Sequence, residues 1–236
     1  NIEKKKLSKR HGDVSVRDYK EKGYLPEALV NFIAFLGWNP GTAQELFTLP
    51  ELEKEFSLAK VAKSPAVFNV EKLNWFNRQY LASLPLARIV AEAQPFFAAR
   101  PEFANVPAKQ LAAAIDLERG RVETLTQLPE AIQFVLKPGE YEAEMVVWKK
   151  GTPEEAKQIF TELIALLPTI EWSKENLDTT LQAWIADKGY GVGNVMWPLR
   201  VALSGQKNSP GPTELATVLG QSETLARLSA AVAKLG

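Results

Sequence analysis

The chain has 236 residues, enough to bury a substantial core in one to three small domains. Its 28 Lys and Arg balance 28 Asp and Glu, so no global field favours nucleic acid, and any such contact has to come from local patches. With no cysteine and a single histidine, His11, the composition excludes disulfides, thiolate catalysis and cysteine zinc sites, and it argues against a histidine-rich metal site or a Ser-His-Asp triad. No metal ligand set is expected.

Residues 1–22 are basic and polar, with Lys and Arg at 4, 5, 6, 9, 10, 17 and 20 outnumbering the acids at 3, 13 and 18. Within them, Lys4-Lys5-Lys6-Leu7-Ser8-Lys9-Arg10-His11-Gly12 forms a short basic loop with a serine and a glycine. Lys6, Lys9 and Arg10 around the Ser8 hydroxyl can neutralise charge that builds on a transferring phosphate. Charge runs are more often solvated, and on these residues alone a basic tail is the first reading. A phosphate loop needs a fold to hold the phosphate against it. A chain that starts this loop a few residues after Asn1 therefore reads as the back half of a larger enzyme. Val14-Ser15-Val16 reads as a short strand.

Helix signals then take over. Pro26 and Glu27 open a run with Leu29, Phe32, Ile33 and Leu36 at i, i+3, i+4 and i+7, closed by Gly37. Trp38-Asn39-Pro40-Gly41 reads as a turn, residues 45–56 as partly helical, and 57–69 as extended or loop-like, with Ser64-Pro65 as punctuation. Asn69 is placed to cap a helix carrying Leu73, Phe76, Tyr80 and Leu81. Residues 85–150 are alanine-rich and helical, and Pro85, Pro95, Pro101, Pro107 and Pro129 are expected to break them into short pieces. Pro107 with Leu111, Ala114, Ile115 and Glu118 makes one helix, and Thr124 is expected to cap the next, through Leu128 and Ile132. A boundary is expected near 150.

The last third is the most legible. Thr152-Pro153-Glu154-Glu155 combines an N-cap, a first-turn proline and an N3 glutamate. Ile159, Phe160, Leu163 and Leu167 form its buried stripe. Ser173 caps the next helix, with Leu177, Leu181, Trp184 and Ile185 inward, to Lys188-Gly189. Gly189, Gly191 and Gly193 read as a loose connection into Trp197-Pro198-Leu199-Arg200, an apolar turn to Gly205. The loop Gln206–Pro212 and two short helices finish the chain. The tryptophans at 75 and 184 read as core, and Trp197, near Arg200, as the one to test against RNA. The longest apolar stretches, Ala28–Trp38 and Phe160–Leu167, are too short to span a bilayer, and the N-terminus lacks the apolar stretch of a signal peptide. A reducing, cytoplasmic setting is expected.

The string Lys6–Trp38, KLSKRHGDVSVRDYKEKGYLPEALVNFIAFLGW, resembles bacterial-type glutamyl-tRNA synthetase. In that family a KLSKRHG loop is the counterpart of the class I KMSKS motif, followed by a G-Y-L-P-E-A-L segment and a helix ending in L-G-W. The likeness continues at Ser64-Pro65-Ala66-Val67-Phe68 and at Lys72-Leu73-Asn74-Trp75 with Asn77. It returns at Pro198–Gly205, at Ser209-Pro210-Gly211 and at Leu219-Gly220. Motifs in the right order over nearly the whole chain are far more specific than any one of them.

The resemblance implies a mainly α chain: a KMSKS-type loop and stem-contact region over residues 1–84, then two all-helical anticodon-binding subdomains, an α-helix cage, over 85–150 and 151–236. The Rossmann catalytic domain, with its HIGH motif, would lie upstream and is absent. In the parent ligase Lys6, Ser8, Lys9 and Arg10 would sit over the ATP phosphates as the catalytic loop, with Lys9 as the ATP-binding lysine and Mg2+ present. His11 would be a local hydrogen-bonding residue. No ATP or Mg2+ is expected on this chain by itself, and glutamate and ATP would be engaged only with the missing domain. The partner implied is tRNA(Glu), bound by a monomer with no membrane. Cytosine offers O2 and N3 acceptors that suit an arginine's fork of donors. Arg121, or its neighbour Arg119, and Arg200 align with family arginines near the anticodon. Ser209, Pro210, Gly211 and Pro212 align with the loop that packs around the bases, although the family commonly has a bulky apolar residue where Pro212 stands. On its own residues Arg200 also reads as a helix-end arginine paired to a carboxylate. The rival reading of the whole chain is a helical protein-interaction module with a basic tail, which an exposed apolar groove on the last helices would favour. A short tRNA-modifying paralogue fits less well, since such paralogues lack the long helical half.

Overall fold

The computed structural model describes residues 15–62, 66–149 and 151–236. Among them the secondary structure is helical, with no strand beyond an isolated antiparallel bridge between Trp38 and Val61. In chain order the α-helices are α1 (Val16–Glu21), α2 (Pro26–Phe35), α3 (Leu49–Glu55), α4 (Val70–Ser83), α5 (Leu86–Ala98), α6 (Ala108–Glu118), α7 (Leu128–Ala131), α8 (Pro153–Leu166), α9 (Lys174–Lys188), α10 (Val192–Ser204), α11 (Pro212–Leu219) and α12 (Gln221–Lys234), with 3₁₀ turns between several of them. They form two compact units, neither contiguous in sequence. The first takes the described residues up to Pro101 and returns for Glu118–Ala131. The second takes Glu102–Leu117 and Ile132–Gly236.

The first unit is built on α2 against α4. Ala28, Leu29 and Phe32 of α2 and Leu73, Phe76, Tyr80 and Leu81 of α4 are buried. Pro26 opens α2 and Asn69 opens α4, its Oδ1 accepting from the Glu71 and Lys72 N–H groups. Between the helices lies a buried polar knot. Asn31 Oδ1 accepts from Phe47 N–H at 2.9 Å and from the Tyr80 hydroxyl at 2.7 Å, and burial pushes the Tyr80 phenol up to about 12. Beside it Trp38, Phe47 and Leu52 form an apolar cluster.

Ser15 and Val16 are not strand. Ser15 Oγ accepts from Asp18 N–H, Asp18 Oδ2 accepts from Ser15 N–H, and this capping box starts α1 at Val16. The box satisfies two helix-end groups that a lone edge strand would leave open. Val14 lies outside the described residues. Of the expected turn Trp38–Gly41, Trp38 is instead bridged to Val61, and Asn39 Oδ1 accepts from Gly41 N–H at 2.8 Å.

In the second unit α8 packs on α12 and α10 on α11. The Thr152 capping box is present, and α9 ends at Gly189 in the left-handed region, at φ 69°. Arg227 of α12, 3% exposed, donates through one terminal nitrogen to the Phe134 and Leu203 carbonyls and through Nε to Glu223.

Two prolines behave differently from expectation. Pro95 does not break the middle region but lies inside α5, and Pro198 lies inside α10, where a turn was expected. An interior proline costs about 3 kcal/mol. Around Pro198 the residues Val195, Leu199 and Val201–Ser204 are buried, and burying each large apolar side chain returns about 1.5–3 kcal/mol. Gly193 belongs to the same helix rather than a loose connection. A Cβ there would come within 2.2 Å of Trp148 Nε1, so the glycine lets the indole close on α10.

Candidate nucleic-acid interface

Lys6, Ser8, Lys9, Arg10 and His11 lie outside the described residues. The other sequence-predicted residues fall in both units: Arg121 in the first, Arg200 and Ser209–Pro212 in the second.

Arg121 follows the C-terminal end of α6. Its N–H and that of Val122 both donate to the Glu118 carbonyl, at 2.8 and 3.2 Å, which folds the chain into a tight turn. Its Nε donates to Glu118 Oε2 at 3.0 Å. The arginine side chain is 45% exposed and the glutamate 8%, so an outward guanidinium rests on a buried carboxylate. Burial pushes the Glu118 carboxyl up, and the Arg121 guanidinium pulls it back. Arg119 turns the other way and donates to the Leu81 and Leu84 carbonyls, closing the C-terminal end of α4.

The segment after Arg121 is fastened to the motif residues of the first unit. Leu125 N–H donates to the Gly23 carbonyl at 3.0 Å. Gly23 has φ +80°, and a Cβ there would lie 2.8 Å from the Leu125 and Thr126 nitrogens. Asn77, fully buried, accepts from Leu25 N–H at 2.8 Å and donates to the Glu123 carbonyl at 2.6 Å. The Glu123 carboxylate takes Asn74 at 2.7 Å and Arg78 at 3.0 Å, and Tyr24 donates to Asn74. The residues that make Gly23-Tyr24-Leu25 and Asn74 with Asn77 distinctive in sequence are thus the clamp that holds the strand of chain carrying Arg121.

In the second unit Arg200 sits in the last turn and a half of α10. Among the described residues its side chain makes one hydrogen bond, to the Lys207 carbonyl at 3.4 Å, and no ion pair. The carboxylate-paired arginine of the sequence reading is not what forms. Gly205, at φ 71°, turns the chain back, and Gly139 packs so close that a Cβ on Gly205 would lie 2.2 Å from the Gly139 oxygen. Ser204 Oγ donates to the Arg200 carbonyl at 2.8 Å and accepts from Gln206 N–H at 3.0 Å, fixing the start of the loop.

Ser209 is buried, its Oγ donating to the Pro210 carbonyl at 3.1 Å, and the rings of Pro210 and Pro212 are buried too. Pro212 opens α11, and Gly211 N–H donates to Glu214 at 2.8 Å. These four residues hold the loop in shape. Its exposed part is Gln206-Lys207-Asn208, which sequence reasoning did not single out. The polar triplet between Gly205 and Ser209-Pro210 was the available signal.

The tryptophans divide by environment. Trp38 is core, at 3% exposed, whereas Trp75 and Trp184 are only half-buried, lying against Lys72 and Tyr190. Trp197 donates through Nε1 to the Met145 carbonyl at 2.8 Å and lies 5.0 Å from the Trp148 ring, so its polar edge is committed inside its own unit. Among the described residues no group of three or more His, Asp or Glu side chains could hold a metal ion, and no helix is long and apolar enough to cross a membrane. Among the described residues eight exposed large apolar side chains lie from Val16 to Val70 and one, Val192, beyond, so the last helices show little of the exposed apolar surface that the interaction-module reading needs.

Residues 88–232 match the anticodon binding domain family, and residues 1–75 match the catalytic domain of class I tRNA synthetases of the E and Q type. The chain is 38% identical over 234 residues to a glutamate–tRNA ligase of Clostridium novyi, covering 98% of this chain and 48% of the relative. It is 40% identical over 229 residues to the glutamate–tRNA ligase of Carboxydothermus hydrogenoformans, covering 94% and 47%. The crystal structure of a glutamate tRNA ligase from Elizabethkingia meningosepticum, in complex with its amino acid, is similar with a TM-score of 0.78 at 30% identity, over 97% of this chain and 45% of that one. The chain spans about half the length of the curated relatives it matches.

Proposed function

The chain belongs to the anticodon binding domain family, in the form carried by glutamate–tRNA ligases, and on that premise we propose that it is the tRNA-binding part of such a ligase. Residues 1–84 serve the inner stem of tRNA(Glu) and residues 85–236 its anticodon, a division supported by where the two family matches stop and start, at 75 and 88. Arg121 and Arg200 meet anticodon bases on their acceptor edges, and Gln206–Asn208 line the approach while Ser209–Pro212 keep that loop rigid. In the whole ligase Lys6, Ser8, Lys9 and Arg10 attend the ATP phosphates, with Mg2+, as glutamate is activated and attached. The chain acts as a monomer in the cytoplasm.

Arg200 is the observation that carries the reading. Among the described residues the Arg200 side chain has one hydrogen-bond partner, the Lys207 carbonyl at 3.4 Å, and no carboxylate, which leaves most of its donors for a ligand. In a chain of zero net charge such a residue is what gives RNA a foothold.

Titration of the chain with tRNA(Glu) at low salt tests this. We expect preference over the same tRNA with an unrelated anticodon. Arg200→Glu should weaken binding by about tenfold or more and flatten the preference for cytosine. Equal affinity for both tRNAs would end the reading, and an unchanged preference in Arg200→Glu would take that residue out of the site.

A further inference from the structure

The second unit carries a cavity of about 470 Å³ beside the loop that follows α10, lined by Glu140, Tyr141, Glu142, Glu144, Met145 and Lys207. We propose that this cavity receives an unstacked nucleobase of the anticodon loop, and that it takes a base with an exocyclic amine, adenine or cytosine. Tyr141 stacks on the base, a rim glutamate accepts from the amine, and Lys207 donates to the ring acceptor next to it. The inference rests on the reading that the second unit meets the anticodon of a tRNA.

The cavity is formed in advance. Between the 3₁₀ turns Gln133–Val135 and Ala143–Val146 the chain runs without helix, yet it is pinned at three points. Gly139 N–H donates to the Ser204 carbonyl at 2.9 Å, where Gly139 also packs on Gly205. Lys234 of α12 donates to the Tyr141 carbonyl, and its ammonium lies 4.2 Å from the centre of the Tyr141 ring. The Met145 carbonyl takes Trp197 Nε1 at 2.8 Å. Lys207 comes from the loop after α10, and its own carbonyl is the one that takes Arg200. A ligand has little of this wall to order, which lowers the cost of binding.

A solvated acidic loop would account for the glutamates but not for the tyrosine. Its side chain is half-buried, and burial pushes the phenol up. Among the described residues the hydroxyl nevertheless has no hydrogen-bond partner, which a buried tyrosine usually finds. The charges then choose the ligand. Three carboxylates against the ammonium groups of Lys207 and Lys234 disfavour a phosphate. The carboxylates do not converge as metal ligands either, since among the described residues no such group could hold an ion. What carboxylates accept is N–H. On their Watson–Crick edges cytosine and adenine set an amine next to a ring acceptor, which suits a glutamate beside a lysine. Uracil and guanine put an N–H where the lysine needs an acceptor, and uracil turns a carbonyl to the carboxylate. Stacking on the ring supplies affinity for any base, and the edge contacts supply the choice.

The full 236-residue chain is titrated with tRNA(Glu) transcripts in which one anticodon-loop nucleotide at a time is made abasic. What is read is the coupling of each lost base to Tyr141→Leu, as a double-mutant cycle. One adenine or cytosine position, when abasic, should cost the parent chain about tenfold in affinity and cost Tyr141→Leu nothing. Tyr141→Phe, which keeps the ring, should behave nearly as the parent does. Uracil at the coupled position should recover the stacking alone and bind between the native and abasic transcripts. Glu140→Gln, Glu142→Gln and Glu144→Gln together should erase the difference between native and uracil transcripts, and these exposed side chains leave the fold alone. If no position couples to Tyr141→Leu while the parent keeps its anticodon preference, the cavity receives no base, and the proposal is overturned with the function intact. The same follows if the coupled base is uracil or guanine, or if the glutamine variant leaves the difference unchanged. If the parent shows no preference for the tRNA(Glu) anticodon, the function itself fails, and the proposal with it.

Discussion

Arg119 and Arg121 stand two residues apart with the same chemistry, and nothing local in the sequence separates them. What separates them is the partner each finds: the Leu84 carbonyl at the end of α4, 35 residues back, takes Arg119, and the buried Glu118, three residues back, takes Arg121. The helix periodicity did place Glu118 on the inward stripe of α6 with Leu111, Ala114 and Ile115. A carboxylate on an apolar stripe was the one signal that a partner had to be near. Glycines pose the same problem in a testable form. Gly23 and Gly41 have nearly the same φ, +80° and +81°, but a Cβ on Gly23 strikes two nitrogens at 2.8 Å and one on Gly41 meets nothing within 4 Å. Gly41→Ala should therefore cost only the left-handed strain, about 1–2 kcal/mol. Gly23→Ala should cost clearly more, because Leu125 and Thr126 have to retreat. Urea unfolding of both variants checks this, and equal losses would refute the close approach.

At the scale of elements, what the sequence made legible was the beginnings of helices. Thr152-Pro153 with Glu155, Asn69 and Ser173 each supply a side chain that satisfies a helix-end N–H within four residues, so the information is local and the reading held. Thr152 is exposed and remote in chemistry from any arginine of the candidate site. Thr152→Ala should lower stability by about 1 kcal/mol in a thermal melt and leave tRNA affinity untouched. A larger loss, or a change in affinity, would mean that α8 does more than pack. Interiors were less legible. Pro95 and Pro198 break the local rule, and burial that only the assembled unit provides keeps α5 and α10 intact across them. The loop read from composition, Gln206–Pro212, runs to the first residue of α11, and which of its side chains turn inward depends on Gly139 and Glu214, neither of which periodicity can place there.

At the scale of the whole molecule, the first unit is completed by a segment that comes late. Glu118–Ala131 belongs to it, and Glu123 supplies both the carbonyl for Asn77 and the carboxylate for Asn74 and Arg78. A chain ending at residue 101 leaves Asn77, which is fully buried, without that acceptor. An unmet buried polar group costs about 1–3 kcal/mol, and small units have little to spare. Residues 1–101 alone should therefore show no cooperative urea transition, and a synthetic peptide of residues 118–131 added in trans should restore one. A cooperative transition without the peptide would mean that the returning segment is dispensable. The same connectivity has a meaning in time. A ribosome extends a chain at about 5–20 residues per second, so the 16 residues between Pro101 and Glu118 separate the two parts of the first unit by roughly one to three seconds of synthesis. Through that interval Gly23 and Asn77 wait for partners still inside the exit tunnel, while Glu102–Leu117 emerges with its own unit yet to be made. The segment that presents Arg121 is thus the latch of the nascent first unit, and translation speed across it governs how long that unit stays open to chaperones and proteases.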